Sequence, residues 1–530
     1  MGYFRNKSEF LAYICNTALP EFRNGNLCYG KVLQEVFLFP EEIEIQALVA
    51  NAYRRWMDCA SSKKLIRMSE EFRKNFFDGW YLGESEDGRW KRAAVDRKSF
   101  FYLSDASYGA MLKFGTWMGN GYYRERCVEA LDGQDNALFF LVLRVNDWVD
   151  KVRERAFGYA YKRMQECGVQ EIFFALPALE KIRNSERRDI SWLECLEKQA
   201  GKVLAEKFTE ISEQTLREIS DYEINIKNAI YRFVSKNKVL RQEQMEFLFL
   251  REKTGYGKVT LLLGIFSFYG YTEETIEQYL LCKNAAVRYC ALQYRYEKEQ
   301  RAWAGLSSML LDSSKRVRVY AGYILKKHTE IDLLNFYKEQ LEKGSLKVAL
   351  MGIGEQGGRE QLKDISPFLE SENNLICKMA LVSYAKLAME SGGKVYWRFL
   401  FDSRPEISRL AYRCICKYHI HYGASYLYKI LLEYCETASR ESLLNLLLCE
   451  PSWERLPYLL LLYGREEFSE EEQKFILSGI NNRYTYGVVS VQQGEKIREI
   501  LEQQRTLLPD NIVEEIRFDL RYVVRKTDKR

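Results

Sequence analysis

Between Leu362 and Leu387 the apolar residues fall on two stripes, first Leu362, Ile365 and Leu369, then Ile376, Ala380, Leu381 and Leu387. Spacings of three and four predict amphipathic helices. The polar run Ser371-Glu-Asn-Asn374 between them reads as a turn, so the unit is an antiparallel helical hairpin. A basic residue opens the second apolar stretch of each such unit: Lys227, Lys258, Arg288, Arg318, Lys347, Lys378, Arg409 and Arg440, in steps of 29 to 31. A fixed period of this length predicts a stacked array, because one helix pair buries its apolar face only against a neighbour. Ala291, Ala321, Ala349, Ala380 and Ala411 follow the cation by two or three positions, where a small side chain lets neighbouring helices approach closely.

The period divides the chain. Residues 1–95 read as an aperiodic helical region, with an amphipathic stretch from Ala52 to Phe77 and a polar break at Gly83-Glu-Ser-Glu-Asp-Gly88. Residues 96–213 carry the first repeats, with Arg124 and Arg153 followed by Cys127 and Ala156, and then an irregular insertion around Arg183-Asn-Ser-Glu-Arg-Arg-Asp189. Residues 214–450 are the regular block, and 451–530 the capping helices and tail. Ser469-Glu-Glu-Glu-Gln473 has the form of a capped helix start, with carboxylates set against the positive end of the dipole. The expected fold is all-α: an α-solenoid, a right-handed superhelix of antiparallel helix pairs.

Composition narrows the function. With 79 basic against 74 acidic residues, the net charge of +5 describes a mixed surface, far from the footprint of an obligate nucleic-acid binder. The thirteen cysteines are scattered without a CxxC pair, which fits a reducing cytoplasm. The longest uncharged apolar run, Val259 to Tyr271, is too short for a bilayer, which needs about 20 residues. No membrane association is expected.

Several residues resemble HEAT repeats of the subtype named after phycobiliprotein lyases. The segment Ala349-Leu-Met-Gly-Ile-Gly-Glu355, then Leu362, Leu369-Glu-Ser-Glu372 and Lys378-Met-Ala380, is similar to that family's succession of an Ala-Leu-Gly-x-Ile-Gly-Asp turn, a leucine helix, an acidic turn and a Val-Arg-x-x-Ala helix. Asp147-x5-Arg153-x2-Ala156 and Asp312-x5-Arg318-x2-Ala321 match the acidic turn and second helix with identical spacing. The likeness covers roughly residues 100 to 450 and departs from the pattern at Lys347, Lys378 and Ser408-Arg409. It implies an architecture; HEAT arrays serve as scaffolds, adaptors, nucleic-acid binders and occasionally enzymes.

An arginine in the first helical turn faces the positive end of the macrodipole and needs a carboxylate nearby. Asp147, Asp221 and Asp312 in the preceding turns can supply it, within the repeat or from the next one, in a structural ladder of charge-assisted hydrogen bonds with Arg153, Lys227, Arg318, Lys378 and Arg409. Other motifs fail on spacing or context. Gly352-x-Gly354-x-x-Gly357 mimics a dinucleotide fingerprint but lies in register with the helix starts, so its glycines read as the turn between repeats. Gly255-Tyr-Gly257-Lys258 lacks the first glycine and the final Ser/Thr of a phosphate loop. Cys414-x-Cys416-x2-His419-x-His421 would converge on a metal only if its helix ended near Tyr418. Trp148, between Asp147 and Asp150, invites comparison with the alkylpurine DNA glycosylases at the level of architecture alone. No catalytic residue, metal or cofactor is assigned.

Seven or eight positions beyond the repeat cation stand Arg295, Lys326, Lys386 and Lys417, a column that would bind an acidic protein or a phosphate backbone. The chain therefore reads as a non-catalytic cytoplasmic scaffold or adaptor for a protein partner. The alternative is a nucleic-acid-binding HEAT protein of a DNA-repair type, and a third reading, a phycobilin lyase, follows from the repeat subtype alone.

Overall fold

In the computed structural model, residues 6–74, 90–185, 189–208, 213–433, 437–483 and 488–524 are described. They are helical almost throughout, with one isolated bridge between Val489 and Val524. The architecture is an all-α solenoid of HEAT-type helical repeats. Two compact units divide it, residues 1–295 and 296–530, the boundary falling inside the helix Ala285–Glu299. The polar break at 83–88 lies outside the described residues.

The first unit is anchored by aromatic residues from distant stretches of chain. Phe22, Tyr53, Trp56 and Phe72 from the first 74 residues surround Phe114 and Trp117, with Tyr53 stacked on Phe114 at 3.8 Å between centroids. Side-chain hydrogen bonds stitch the same regions together: Gln34 donates to the Tyr123 hydroxyl (3.0 Å) and Arg144 to Ser69 Oγ (3.0 Å). The amphipathic stretch folds as Ile43–Cys59 and Ser62–Lys74, and the second of these packs on the helix Val169–Arg183. The chain continues as the helices Ile190–Phe208, Glu213–Asp221 and Ile224–Asn237, the last carrying Lys227.

Every repeat cation lies at a helix start. Seven of the ten, Arg124, Arg153, Lys227, Lys258, Arg288, Arg318 and Arg440, occupy the fourth helical position. The five alanines are fully buried. In the second unit Leu346–Gln356 packs between Leu333–Glu342 and Asn374–Ala388, and Gly393–Leu400 packs on Pro405–Lys417. The cap at Ser469 forms as expected: its Oγ accepts from Glu472 N (3.3 Å) while its own N–H reaches the Glu472 carboxylate (2.8 Å).

Two local readings are corrected. The stripe Leu362, Ile365, Leu369 is not one helix; a four-residue α-helix, Leu362–Ile365, is flanked by 3-10 segments Arg359–Gln361 and Ser366–Glu370. Pro367 lacks the amide that would continue the α-helical ladder. Gly352 and Gly354 are not in a turn. They sit buried inside the helix Leu346–Gln356, where a Cβ would come within 2.3 Å of the Tyr337 ring and 2.8 Å of the Ser383 backbone respectively. Glycine is there so that helices can touch.

Gly354→Ala tests this packing directly. The added methyl meets backbone rather than a flexible side-chain end, so the helices must part, at a cost of about 1–3 kcal/mol. A urea midpoint unchanged from the native protein would mean that the two helices are not in this contact.

Candidate interaction surface

Most of the repeat cations are consumed by the fold. Arg124, Arg153, Arg288 and Arg318 each send Nη1 back to the carbonyl six residues earlier, at Met118, Asp147, Cys282 and Asp312, with distances of 2.8, 3.2, 2.7 and 2.7 Å. The backbone entering the helix thus offers carbonyl oxygens to a charge that the helix dipole disfavours. Lys258 does the same with Phe249 O at 2.9 Å.

The remaining valence is filled across repeats. Arg124 makes a two-point bond to Asp147 (3.2 and 2.8 Å), and Arg144 joins the same carboxylate at 3.3 Å. All three side chains are buried, and the surplus positive charge is spread over Met118 O, Gly119 O, Ser69 Oγ and the Trp148 ring, 5.0 Å from the Arg124 guanidinium. Burial acts to raise the Asp147 carboxyl, but Arg144 and Arg124 outweigh it and hold it below the usual range. In the second unit Arg318 grips Glu355 through Nε (3.2 Å) and Nη2 (2.7 Å), both side chains almost fully shielded.

The expected ladder forms where Asp147 serves Arg124 of the preceding repeat, and the other pairings differ from it. Arg153 and Arg318 use the backbone carbonyls of Asp147 and Asp312; the Asp312 carboxylate accepts from Ser314 N at 2.7 Å, and Asp147 likewise from Val149 N at 3.1 Å. Asp221 ends its helix exposed, and Lys227 pairs instead with Glu252 at 3.1 Å. Lys378 bonds Glu406 (2.5 Å) and Arg409 bonds Pro405 O (3.0 Å) at exposed positions. Glu252 and Glu355 were missed because each stands 25 or more residues beyond its cation, outside any local spacing rule.

Burial tends to raise Glu252, but hydrogen bonds from Thr254, Lys227 and Tyr231 prevail and bring it from 4.5 to about 2. The carboxylate accepts from Thr254 N at 2.6 Å and from the Tyr231 hydroxyl at 2.9 Å.

The four-cation column breaks at its first member. Arg295 is buried and neutralised by Glu273 (2.5 Å) and Glu277 (2.6 Å), so it presents nothing to a ligand. Lys417 is exposed and lies over the Tyr418 ring at 4.9 Å. Lys326 and Lys386 do come together, at the end of the helix Leu346–Gln356: Lys326 donates to Gln356 Oε1 (3.2 Å), and the Lys386 amine stands 3.6 Å from Glu355. Burial, with Lys315 and Arg318 nearby, lowers the Lys386 amine despite Glu355.

A stronger surface lies on the helix Lys315–His328 itself. Its buried side is Val317, Arg318, Ala321, Gly322, Ile324 and Leu325. Its exposed side carries Lys315, Arg316, Val319, Tyr323, Lys326 and Lys327, and the helix contains no carboxylate. Tyr320 stacks on Tyr323 at 6.0 Å, Tyr296 bonds His328 Nε2 at 3.1 Å, and Lys327 sits 5.6 Å from the Tyr296 ring. Nearby carboxylates are engaged: Glu355 by Arg318, Asp312 by Ser314, and Asp332 by the amides of Leu334 and Asn335. Cations at both ends of an apolar, tyrosine-bearing strip form a surface complementary to an acidic segment with an apolar centre. The sequence signal was present in Lys315-Arg-Val-Arg-Val-Tyr-Ala-Gly-Tyr-Ile-Leu-Lys-Lys-His328, whose exposed positions recur at helical spacing.

The remaining motifs are absorbed elsewhere. The helix Pro405–Lys417 does end at Tyr418, but Cys414 points into the core and His421 faces Glu450 at 3.4 Å. Among the described residues no three His, Cys, Asp or Glu side chains gather as metal ligands, and no helix is long and apolar enough to cross a membrane. Lys258 of the Gly255–Lys258 motif is spent on Phe249 O.

No known protein family and no curated protein matches the chain. Among solved structures it is similar to a Kap121p mutant (14% identity, TM-score 0.27, covering 97% of this chain and 65% of that one). It is also similar to Kap121p itself (12%, 0.26, 98% and 57%) and to Kap121p bound to Pho4p (12%, 0.23, 97% and 57%). The chain therefore spans less than two thirds of those structures, and at such scores the likeness carries no argument about function.

Two consequences of the buried ion pairs are measurable. Arg318→Ala leaves the buried Glu355 with only the Lys386 amine, 3.6 Å away, to balance it and is expected to cost up to about 3–5 kcal/mol in denaturant unfolding; a loss below about 1 kcal/mol would contradict the pairing. The depressed Glu252 carboxyl stabilises the fold fully above its ordinary 4.5, and that contribution is lost as pH falls toward about 2. Unfolding midpoints of Glu252→Gln should therefore fall less steeply than those of the native chain across this window, and parallel curves would refute the assignment.

Proposed function

We propose that this chain is a non-catalytic interaction scaffold of the phycobiliprotein-lyase-like HEAT subtype, acting in the cytoplasm, and that it takes an acidic polypeptide segment on the exposed side of the helix Lys315–His328. The observation that carries this reading is the segregation of charge on one helix: Arg318 is buried and neutralised, while Lys315, Arg316, Lys326 and Lys327 face outward around Val319 and Tyr323. The subtype is supported by the Asp-x5-Arg-x2-Ala spacing at Asp147 and Asp312.

A polypeptide is favoured over a phosphate backbone because the cationic track is short. The neighbouring helix Leu346–Gln356 carries a single cation, Lys347, and on the next Lys378 is paired with Glu406 and Lys386 stands 3.6 Å from Glu355. Nucleic acid needs a longer run of contacts. The repair-type reading gains nothing from Asp147, which is held between two arginines.

The test uses the full chain, a glutamate-rich peptide with central Leu and Tyr, and single-stranded DNA of equal charge. The peptide should bind more tightly. Exposed charge pairs contribute about 0.2–1 kcal/mol each, so Lys315→Glu, Lys326→Glu and Lys327→Glu together should weaken it roughly tenfold or more, with unchanged circular dichroism. Equal peptide affinity in the triple variant sinks the proposal. Tighter DNA binding, with a salt slope of about −0.7 per phosphate contacted, would make nucleic acid the ligand.

A further inference from the structure

The exposed strip on the helix Lys315–His328 continues onto the next two second helices. Ala321, Ala349 and Ala380 are fully buried and mark the same register on the helices Lys315–His328, Leu346–Gln356 and Asn374–Ala388. One position before and two positions after each alanine stand Tyr320 and Tyr323, Val348 and Met351, and Met379 and Val382. Residues three apart share a helix face. All six are apolar or aromatic and all six reach solvent, Tyr323 the most at 52% exposed. Glu355 ties the three helices together, bonded by Arg318 of the first at 2.7 Å and standing 3.6 Å from Lys386 of the third.

Cations border this row on both sides. Toward the helix starts stand Lys315, Arg316, Lys347 and Lys378, the last offset by Glu406. Toward the helix ends stand Lys326, Lys327 and Lys386, the last offset in part by Glu355. An apolar band between two basic margins thus crosses three repeats.

We infer, building on the acidic-polypeptide reading above, that the ligand of this surface is an amphipathic acidic α-helix lying across the three helices, its apolar stripe on the band and its carboxylates against both margins. A strand does not meet this geometry. Its successive side chains point to opposite faces, so a strand with its apolar face down turns its carboxylates to solvent. A helix carries flanking positions on both sides of one stripe and reaches both margins at once. Packed helices lie about 8–10 Å apart, so the band spans about 16–20 Å, which a helix covers with about 11–13 residues. The unbranched side chains of Met351 and Met379 adapt to the apolar groups set on them.

The experiment titrates the full chain with peptides of Leu, Glu and Ala by fluorescence anisotropy at physiological salt. One peptide repeats Leu every three or four residues with Glu on both sides of the stripe; a second, of the same length and composition, places Leu at every second position; a third is the first with a proline at its centre. The first should bind roughly tenfold or more tightly than either of the others and gain helical circular dichroism on binding. Met351→Asp and Met379→Asp, on helices other than Lys315–His328, should each weaken it roughly tenfold with unchanged thermal unfolding. Equal or tighter binding of the alternating or the proline peptide, or native affinity in the Met379 variant, overturns this inference. The reading beneath it falls separately, when reversing Lys315, Lys326 and Lys327 to Glu leaves the affinity of the first peptide unchanged; failure of every peptide to bind sinks both. Where a methionine variant does not fold, the ranking of the three peptides on the native chain decides.

Discussion

The arrangement rests on placing a cation where a helix least wants it. Four arginines sit in the first turn, against the positive end of the dipole, and each is rescued by a carbonyl six residues upstream. That reach fixes how the chain enters the helix, because the turn must fold back far enough for its carbonyls to face the guanidinium. Carboxylates 23 to 37 residues away then complete the coordination of Arg124, Lys227 and Arg318. A repeat folded alone would keep a buried charge half-satisfied, so the electrostatics demand the next repeat as strictly as the apolar faces do.

Packing answers the same demand. With Ala321 and Ala380 fully buried, and with Gly352 and Gly354 set against Tyr337 and Ser383, the helices come close enough for short acidic side chains to reach cations on another repeat. Larger residues would force the helices apart and lengthen those bonds. The glycine pattern that imitates a nucleotide motif is therefore a consequence of helix contact, and the fold explains it without a ligand.

The period, the helix starts and the buried alanines were legible because they obey local rules: a 3.6-residue stripe, a dipole, a repeat length. The glycines at 352 and 354 were misread because a turn and a close contact favour the same residue, and only the neighbour distinguishes them. The broken stripe around Pro367 was misread because apolar spacing survives a change from α to 3-10 geometry over so few residues. The ion partners were the hardest. Asp147 was found by its spacing to Arg153, yet its carboxylate serves Arg124 and Arg144, and Glu355 had no local mark at all. The column through Arg295 failed for a related reason: equal spacing along the chain says where a cation stands, not whether Glu273 and Glu277 have already claimed it.

That distinction between position and availability separates structure from function on the helix Lys315–His328. Arg318 and Lys326 lie eight residues apart on the same element, yet one is sealed against Glu355 and the other meets solvent beside Gln356. Were Arg318 unpaired, its charge would compete for any incoming carboxylate at the base of the surface and the helix would lose its anchor in the repeat. Because Glu355 neutralises it, the outward lysines can carry an uncompensated charge without destabilising the core, since exposed like charges are well screened by water and salt. Neutralisation inside thus permits the proposed binding face outside, and the two roles of a cation are divided by which side of one helix it occupies.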